Sequence, residues 1–250
     1  MLLLRYDDSG CNIMQINVTL YPTELKKTDQ KGKTVVIIDV LRGSSTMVYA
    51  LAHGCKEIYP MPDIKTARRK WKACKNDQVL LGGEQNGFKV KGFDLGNSPE
   101  EYTSEKICGK TLIFTTTNCT KTLRFCKNPH EVLICAFLNA GFVAQYLCSA
   151  KRDIVFALSG NNDTYSMEDM MCAGLVIDKI SKYRKVNLSD TALSARIIYN
   201  KYRGCIRKGL LDSFHGKHLE KVGMRKDVIF CARIGQFAII PKYSNGVISI

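Results

Sequence analysis

An aspartate, an arginine and three hydroxyl side chains fall within one short stretch, Asp39-Val40-Leu41-Arg42-Gly43-Ser44-Ser45-Thr46. A carboxylate suits a hard metal ion, a guanidinium grips phosphate with two parallel hydrogen bonds, and hydroxyls at a helix start cradle an anion. The same residues also suit an N-cap beside a surface salt bridge. A second stretch runs from Gly83-Glu84-Gln85-Asn86-Gly87 to Gly92-Phe93-Asp94-Leu95-Gly96-Asn97-Ser98-Pro99. There Glu84 and Asp94 offer hard oxygen ligands, and the glycines permit close backbone approach. Asp94 ahead of Gly96 serves equally well as a turn residue. The third stretch, Thr115-Thr116-Thr117-Asn118-Cys119-Thr120, brings four hydroxyls and several backbone N–H groups to a helix start. That is an oxyanion pocket in kind, or simply the β-branched end of a strand. In the fourth, Ser159-Gly160 with Ser166-Met167-Glu168-Asp169, a strand-end loop precedes a helix with Ser166 as N-cap and Asp169 in the capping-box position.

All four stretches follow predicted strands. Met14–Leu20 alternates as Ile16, Val18 and Leu20, the pattern of a first strand, while residues 1–13 share no periodicity with it and form an extension. Thr34–Asp39 is a β-branched strand running through a polar turn into a helix from Met47 to Ala52. Glu57–Pro60, Gln78–Leu81, Thr111–Phe114, Val132–Ala136 and Ile154–Leu158 are further strands. Helices are expected over Ile64–Cys74, from near Lys121, over Ala140–Leu147 and Ser166–Ser181, from near Ser189, and within Asp212–Val222. Asp227–Ala232 and Phe237–Lys242 close the pattern as strands. Such alternation predicts an α/β fold with a largely parallel or mixed sheet, whose ligands collect at the carboxyl ends of strands. No linker divides residues 14–250, and two similar halves with the site between them would also fit the pattern.

Composition narrows the chemistry less than the motifs do. The chain has 37 Lys and Arg against 23 Asp and Glu, a formal charge of +14 that would attract nucleic acid, anionic membrane or a small anion alike. The densest basic run, Arg68, Arg69, Lys70, Lys72 and Lys75 around Trp71, is expected as a solvated helix face. No apolar run is long enough to span a bilayer, and Met1–Leu4 is too short for a secretory signal, so a cytoplasmic place is expected. The eleven cysteines include no C-x-x-C pair and are expected as reduced thiols. There is no phosphate-binding G-x-x-x-x-G-K-[ST] loop and no G-x-S-x-G elbow. Cys119 is followed by Arg124 at five residues, not the six of a cysteine phosphatase, and Leu41 stands where a haloacid-dehalogenase pattern wants a second Asp. His215 and His218 are spaced i, i+3 without the H-E-x-x-H of a zinc site.

Together, Val36-Ile37-Ile38-Asp39-Val40-Leu41-Arg42, Gly83-Glu84-Gln85-Asn86-Gly87, Gly92-Phe93-Asp94-Leu95-Gly96-Asn97-Ser98-Pro99 and Thr115-Thr116-Thr117-Asn118 resemble, in order, the 2-phosphosulfolactate phosphatase family. Phe137-Leu138-Asn139-Ala140, Glu168-Asp169-Met170-Met171-Cys172-Ala173-Gly174, Leu188-Ser189-Asp190-Thr191-Ala192 and His215-Gly216 extend the resemblance from about Met14 almost to the last residue. It implies a three-layer α/β/α fold, a homodimer, and Mg²⁺-dependent hydrolysis of 2-phospho-3-sulfolactate to sulfolactate and phosphate, a step toward coenzyme M in methane-producing archaea. The chain departs from the family at Cys119, where members have glycine, and at Gly43-Ser44-Ser45, where they have a small residue and threonines.

On this basis Asp39, Glu84 and Asp94 are the expected metal ligands and, with Arg42, the catalytic set. Arg42, Ser44, Ser45, Thr46, Asn97, Thr116, Thr117, Asn118 and Thr120 are the expected contacts to a small anionic phosphorylated substrate. Asp39 is alternatively a nucleophile that takes the phosphoryl group itself. A glycine at position 119 would give a positive φ or room beside the backbone, so Cys119→Gly is expected to raise kcat/KM. The rival function is a diverged non-catalytic or nucleic-acid-binding protein on the same scaffold, resting on Cys119 for the divergence and on the +14 charge and the Arg68–Lys75 run for nucleic acid.

Overall fold

The computed structural model describes residues 13–74 and 76–250, so the expected N-terminal extension, apart from Ile13, and Lys75 of the basic run lie outside the described residues. In chain order the elements are β1 (Met14–Thr19), α1 (Pro22–Leu25), β2 (Thr34–Ile38), α2 (Gly43–Ala52), β3 (Glu57–Pro60), α3 (Ile64–Ala73), β4 (Val79–Gln85) and β5 (Phe88–Lys89). Then come α4 (Ser104–Ile107), β6 (Thr111–Thr115), α5 (Cys119–Leu123), β7 (Glu131–Cys135), α6 (Ala140–Ala150), β8 (Ile154–Leu158) and α7 (Met167–Ser181). The chain continues through β9 (Val186–Leu188), α8 (Asp190–Tyr202), α9 (Ile206–Asp212), α10 (Phe214–Lys221), α11 (Arg225–Cys231), β10 (Lys242–Ser244) and β11 (Val247–Ser249).

The strands form one mixed sheet in the order β5-β4-β6-β3-β11-β10-β7-β2-β8-β1-β9. Its two parallel blocks, β4-β6-β3 and β7-β2-β8-β1-β9, are joined by the antiparallel hairpin β10-β11. That hairpin meets β3 at Ile248 opposite Ile58 and β7 at Lys242 opposite Leu133. β2 is buried along its whole length because it is covered on both faces. Val36 and Ile38 pack with Phe156 and Leu158 under α6 and α7, while Val35 and Ile37 pack with Ile58, Leu112 and Phe114 under α2. The result is the three-layer α/β/α arrangement. β2 and β4 stand six places apart in the sheet, and about 4.8 Å per step would separate them by about 29 Å if the sheet were flat. Residues at the ends of both strands, Asp39 and Glu84, nevertheless line one cavity.

Two expected strands are corrected. Asp227–Ala232 is helical, as α11: a short apolar run suits a buried helix as well as a strand. Here Gly223, at φ +84, ends α10, and Val228 and Cys231, one helical turn apart, are both buried. Phe237–Lys242 is not a strand either. β10 begins at Lys242, behind Pro241, which has no N–H for a ladder. α2 and α5 both start earlier than expected, at Gly43 and Cys119, after short turns from the preceding strand ends.

On α3, Arg68, Arg69 and Lys72 are exposed, Lys70 lies over the Tyr59 ring at 3.9 Å, and Trp71 packs inward against Ala67, Leu81 and Ile113. This is the solvated face expected from the sequence, with its aromatic turned away from it. Among the described residues no helix is long and apolar enough to cross a membrane.

Candidate active site

Asp39 follows the last residue of β2 and stands at the head of the short turn that leads into α2. Asp39 N–H donates to Ser44 Oγ at 2.9 Å, Ser44 N–H returns to the Asp39 carbonyl at 2.8 Å, and Gly43 N–H donates to Asp39 Oδ1 at 3.2 Å. The Ser45 hydroxyl donates to the Val40 carbonyl at 2.8 Å and that of Thr46 to the Asn97 carbonyl at 2.9 Å. Ser44, Ser45 and Thr46, expected as anion contacts, are completely buried and are not on the cavity wall. The Ser44 and Ser45 hydroxyls hold the turn between β2 and α2, whose backbone groups need side-chain partners, and the Thr46 hydroxyl ties α2 to the segment that carries Asn97. Arg42 is turned outward from the same turn. Its guanidinium pairs with Asp227 of α11 and donates to the Gly87 carbonyl at 2.6 Å. Ser98 Oγ donates to the other Asp227 oxygen at 2.6 Å.

Glu84 comes from the opposite block. Its Oε1 accepts from Thr117 N–H at 2.7 Å and Thr117 Oγ1 at 2.9 Å, and its Oε2 accepts from Gly87 N–H at 2.8 Å. One carboxylate thus ties the end of β4, the Asn86-Gly87 turn and the loop after β6 together. Asp94 is elsewhere: it is exposed, its Oδ2 accepts from Leu81 N–H at 2.7 Å, and it does not line the cavity. The structure therefore gives Asp94 the turn role that its neighbouring glycine suggested. Thr120 is buried with its hydroxyl on the Thr116 carbonyl, away from the wall.

A cavity of about 450 Å³ opens between the strand ends of the two blocks. Of the expected residues, Asp39, Arg42, Glu84, Asn97, Thr116, Thr117 and Asn118 line it. Asn118 Oδ1 accepts from Asn162 N–H at 3.3 Å, which leaves its amide nitrogen as a donor. The wall also contains residues that were not expected there: Asn86, Asn161, Asn162, Phe88, Phe214, His215 and His218. The two histidine rings stack at 5.9 Å and 17°. Burial pushes His215 down to about 4, so it presents an uncharged ring at neutral pH.

Asp39 is raised to about 7, first by burial and then by the charges of Glu84 and Glu168. Behind it Asp169, 2% exposed, accepts from Val40 N–H at 2.8 Å and Gly160 N–H at 3.3 Å. The capping-box expectation is half right: Ser166 caps α7 by accepting from Asp169 N–H, while the Asp169 carboxylate clamps the two strand-end loops. Burial, then the charges of Asp39 and Glu168, hold Asp169 well above the usual carboxylate range, and burial raises Glu168 as well.

Among the described residues no three Asp, Glu, His or Cys side chains converge closely enough to cage a metal ion. Mg²⁺ needs no such cage, since it keeps several waters and takes one or two carboxylates plus phosphate oxygens. Asp39 and Glu84, two buried carboxylates that repel one another on one wall, fit that requirement.

A model of the 2-phosphosulpholactate phosphatase family matches residues 19–246. A protein of Clostridium tetani named "Probable 2-phosphosulfolactate phosphatase" is 35% identical over 94% of this chain and 100% of its own length. A protein of the same name from Carboxydothermus hydrogenoformans is 39% identical over 92% of this chain and 93% of its own. The chain belongs to the 2-phosphosulpholactate phosphatase family. Membership makes it a hydrolase of phosphoric monoesters, and the cavity between the blocks is its candidate active site.

The departure from the family resemblance at Cys119 has a structural counterpart at Gly43. Cys119 is the first residue of α5, without a positive φ, and is fully buried behind Asp39, with its thiol against the Ser44 and Ser159 hydroxyls. It does not line the cavity, so the expected gain in kcat/KM from Cys119→Gly loses its reason. A Cβ placed on Gly43 would lie 2.9 Å from Cys119 Cβ and 2.9 Å from Asp39 Oδ2. The two backbones meet where there is room for one side chain, and this chain places it on α5. Cys119→Gly is accordingly expected to leave kcat/KM within about threefold, whereas Gly43→Ala costs about 1–3 kcal/mol and displaces Asp39. The double variant recovers part of that loss. Denaturant melts and kinetics on the three proteins check this, and additive losses in the double variant would show that the sites are not coupled.

Proposed function

We propose that this phosphatase hydrolyses 2-phospho-3-sulfolactate, or a closely similar phosphorylated hydroxy acid, with Mg²⁺. The supporting observation is the meeting of Asp39, Glu84 and Arg42 on one cavity wall, brought from opposite blocks of the sheet. Arg42, held in place by Asp227, offers its remaining N–H groups to phosphate oxygens. The Thr116 hydroxyl and the Asn118 amide add neutral donors to the same wall. Asp39 faces the cavity as the carboxylate that would accept a proton from an attacking water. That water adds to phosphorus, the ester P–O bond breaks toward the hydroxy acid, and the departing oxygen takes up a proton. Mg²⁺, held by Asp39 and Glu84, would neutralise phosphate oxygens and steady the attacking water. The free thiols of the described cysteines support a cytoplasmic place of work, and a homodimer belongs to the same reading.

The test is phosphate release from 2-phospho-3-sulfolactate with Mg²⁺, suppressed by a chelator; no release with Mg²⁺ present sinks the proposal. A single turnover quenched in acid and treated with borohydride is expected to leave Asp39 peptides unchanged. Reduction of Asp39 to homoserine would reveal an acyl phosphate there and replace direct water attack with an aspartyl-phosphate route.

Metal binding also has a thermal signature. Because Asp39, Glu168 and Asp169 are raised in the folded state, their protonation stabilises the metal-free protein below the ordinary carboxylate range. That stabilisation disappears as pH rises, through about 7 in the case of Asp39. Protons and Mg²⁺ compete, so the rise in Tm with Mg²⁺ is expected to be small near about pH 5.5 and largest near about pH 8. At about a hundred times Kd the gain is about 2.7 kcal/mol, or about 5–10 °C for a chain of this size. A shift independent of pH, or absent throughout, would argue against these carboxylates as the metal's ligands.

A further inference from the structure

The substrate named above carries a carboxylate and a sulfonate besides its phosphate, yet the cavity offers little positive charge to receive them. Arg42 is the only Lys or Arg among its described lining residues, and Asp227 already pairs with it. Lys121, on the helix after Asn118, is paired with Asp163 beside Asn161 and Asn162. Neutral amides take the place of charge: Asn86, Asn97, Asn118, Asn161 and Asn162 all line the wall. Asn97 is 5% exposed, and its side-chain Oδ1 is buried without a hydrogen-bond partner. An unmatched buried acceptor is costly unless a ligand brings a donor. Carboxylate and sulfonate oxygens carry no proton to donate, whereas a hydroxyl does. At the mouth, Phe88 is 53% and Phe214 81% exposed, two apolar rings facing the same opening from different elements. Such faces suit the C–H edges of a carbon chain better than a sulfonate.

We propose that the leaving-group side of this cavity reads hydroxyls, so that the enzyme also hydrolyses phosphomonoesters of neutral polyols, of the size of glycerol phosphate or a small sugar phosphate. The inference rests on the phosphatase reading above and concerns what leaves, not how the phosphoryl group is transferred. Water adds to phosphorus, the P–O bond to the polyol breaks, the polyol oxygen gains a proton, and the products are the free polyol and inorganic phosphate. No oxidant or second substrate is required.

The test compares kcat/KM for glycerol 1-phosphate, a tetrose or pentose phosphate, and 2-phospho-3-sulfolactate on the full chain with Mg²⁺. At least one polyol phosphate is expected to equal or exceed the sulfonate substrate, or to fall within about tenfold of it. Asn161→Lys, which adds a cation to the wall, is expected to shift the ratio toward the sulfonate substrate by about tenfold or more. Rapid hydrolysis of the sulfonate substrate alone, with every polyol phosphate more than about a thousandfold worse, would overturn this inference and leave the proposed function standing. Release from none of the substrates would overturn both. An unchanged ratio in Asn161→Lys would show that the wall around Asn161 does not meet the leaving group, and the inference would fall on that ground.

Discussion

Glu84→Gln is expected to reduce kcat by about a thousandfold or more and to destabilise the fold by about 2–4 kcal/mol. The carboxylate is an acceptor on both oxygens, taking Thr117 N–H and Oγ1 on one and Gly87 N–H on the other. An amide of the same shape must turn its NH₂ toward one of those donors, so either the loop after β6 or the hairpin turn loses its anchor. Both carry cavity residues, Thr116 and Asn118 on one side and Asn86 and Phe88 on the other. The charge that would help hold a metal is lost in the same substitution. Glu84→Asp keeps the charge but is one methylene shorter, and is expected to bind Mg²⁺ more weakly while retaining measurable turnover. Kinetics and thermal melts on both variants check this. Full activity in Glu84→Gln would remove Glu84 from the site.

Asp227→Ala is expected to cost about 3–5 kcal/mol, because it leaves the Arg42 guanidinium buried without its carboxylate. The pair is well shielded, with side chains 4% and 9% exposed, so solvent screening does little to soften the loss. Activity should collapse as well, since Arg42 is then free to leave the phosphate side of the cavity. The double variant Arg42→Met with Asp227→Leu separates the two effects. It is expected to regain most of the stability and none of the activity. If Asp227→Ala alone were as stable and active as the parent, the pair would be neither a structural nor a functional element.

How legible these features are depends on whether each residue's partners are near in sequence. Asp39, Arg42 and Glu84 stand out because each lies at a strand end in a short polar stretch, and strand periodicity alone finds those ends. Ser44, Ser45 and Thr46 mislead for a reason of the same kind. A hydroxyl at a helix start offers itself equally to an anion and to the backbone, and here the turn between β2 and α2 takes Ser44 and Ser45 while the distant Asn97 carbonyl takes Thr46. Asp227 escapes a sequence reading because its partner Arg42 is 185 residues away and its own surroundings suggest a strand. A signal does exist in Gly223, a helix terminator, with Asp227 in the first turn of the next helix, α11. Asn161 and Asn162 follow β8, the neighbour of β2, so the strand-end rule that found Asp39 could have found them too. Phe214, the first residue of α10, carries no such signal, because only the packing of the C-terminal helices brings it to the wall.

The hairpin β10-β11 occupies residues 242–249, after all the strands it joins. On a translating ribosome, both parallel blocks are therefore made before the piece that connects them. Until that piece arrives, β3 and β7 each have an open edge, and β7 is the apolar run Val132-Leu133-Ile134-Cys135 after its leading Glu131. Open apolar edges recruit strands from other chains. A nascent chain paused before residue 242 is thus a species for chaperones to shield.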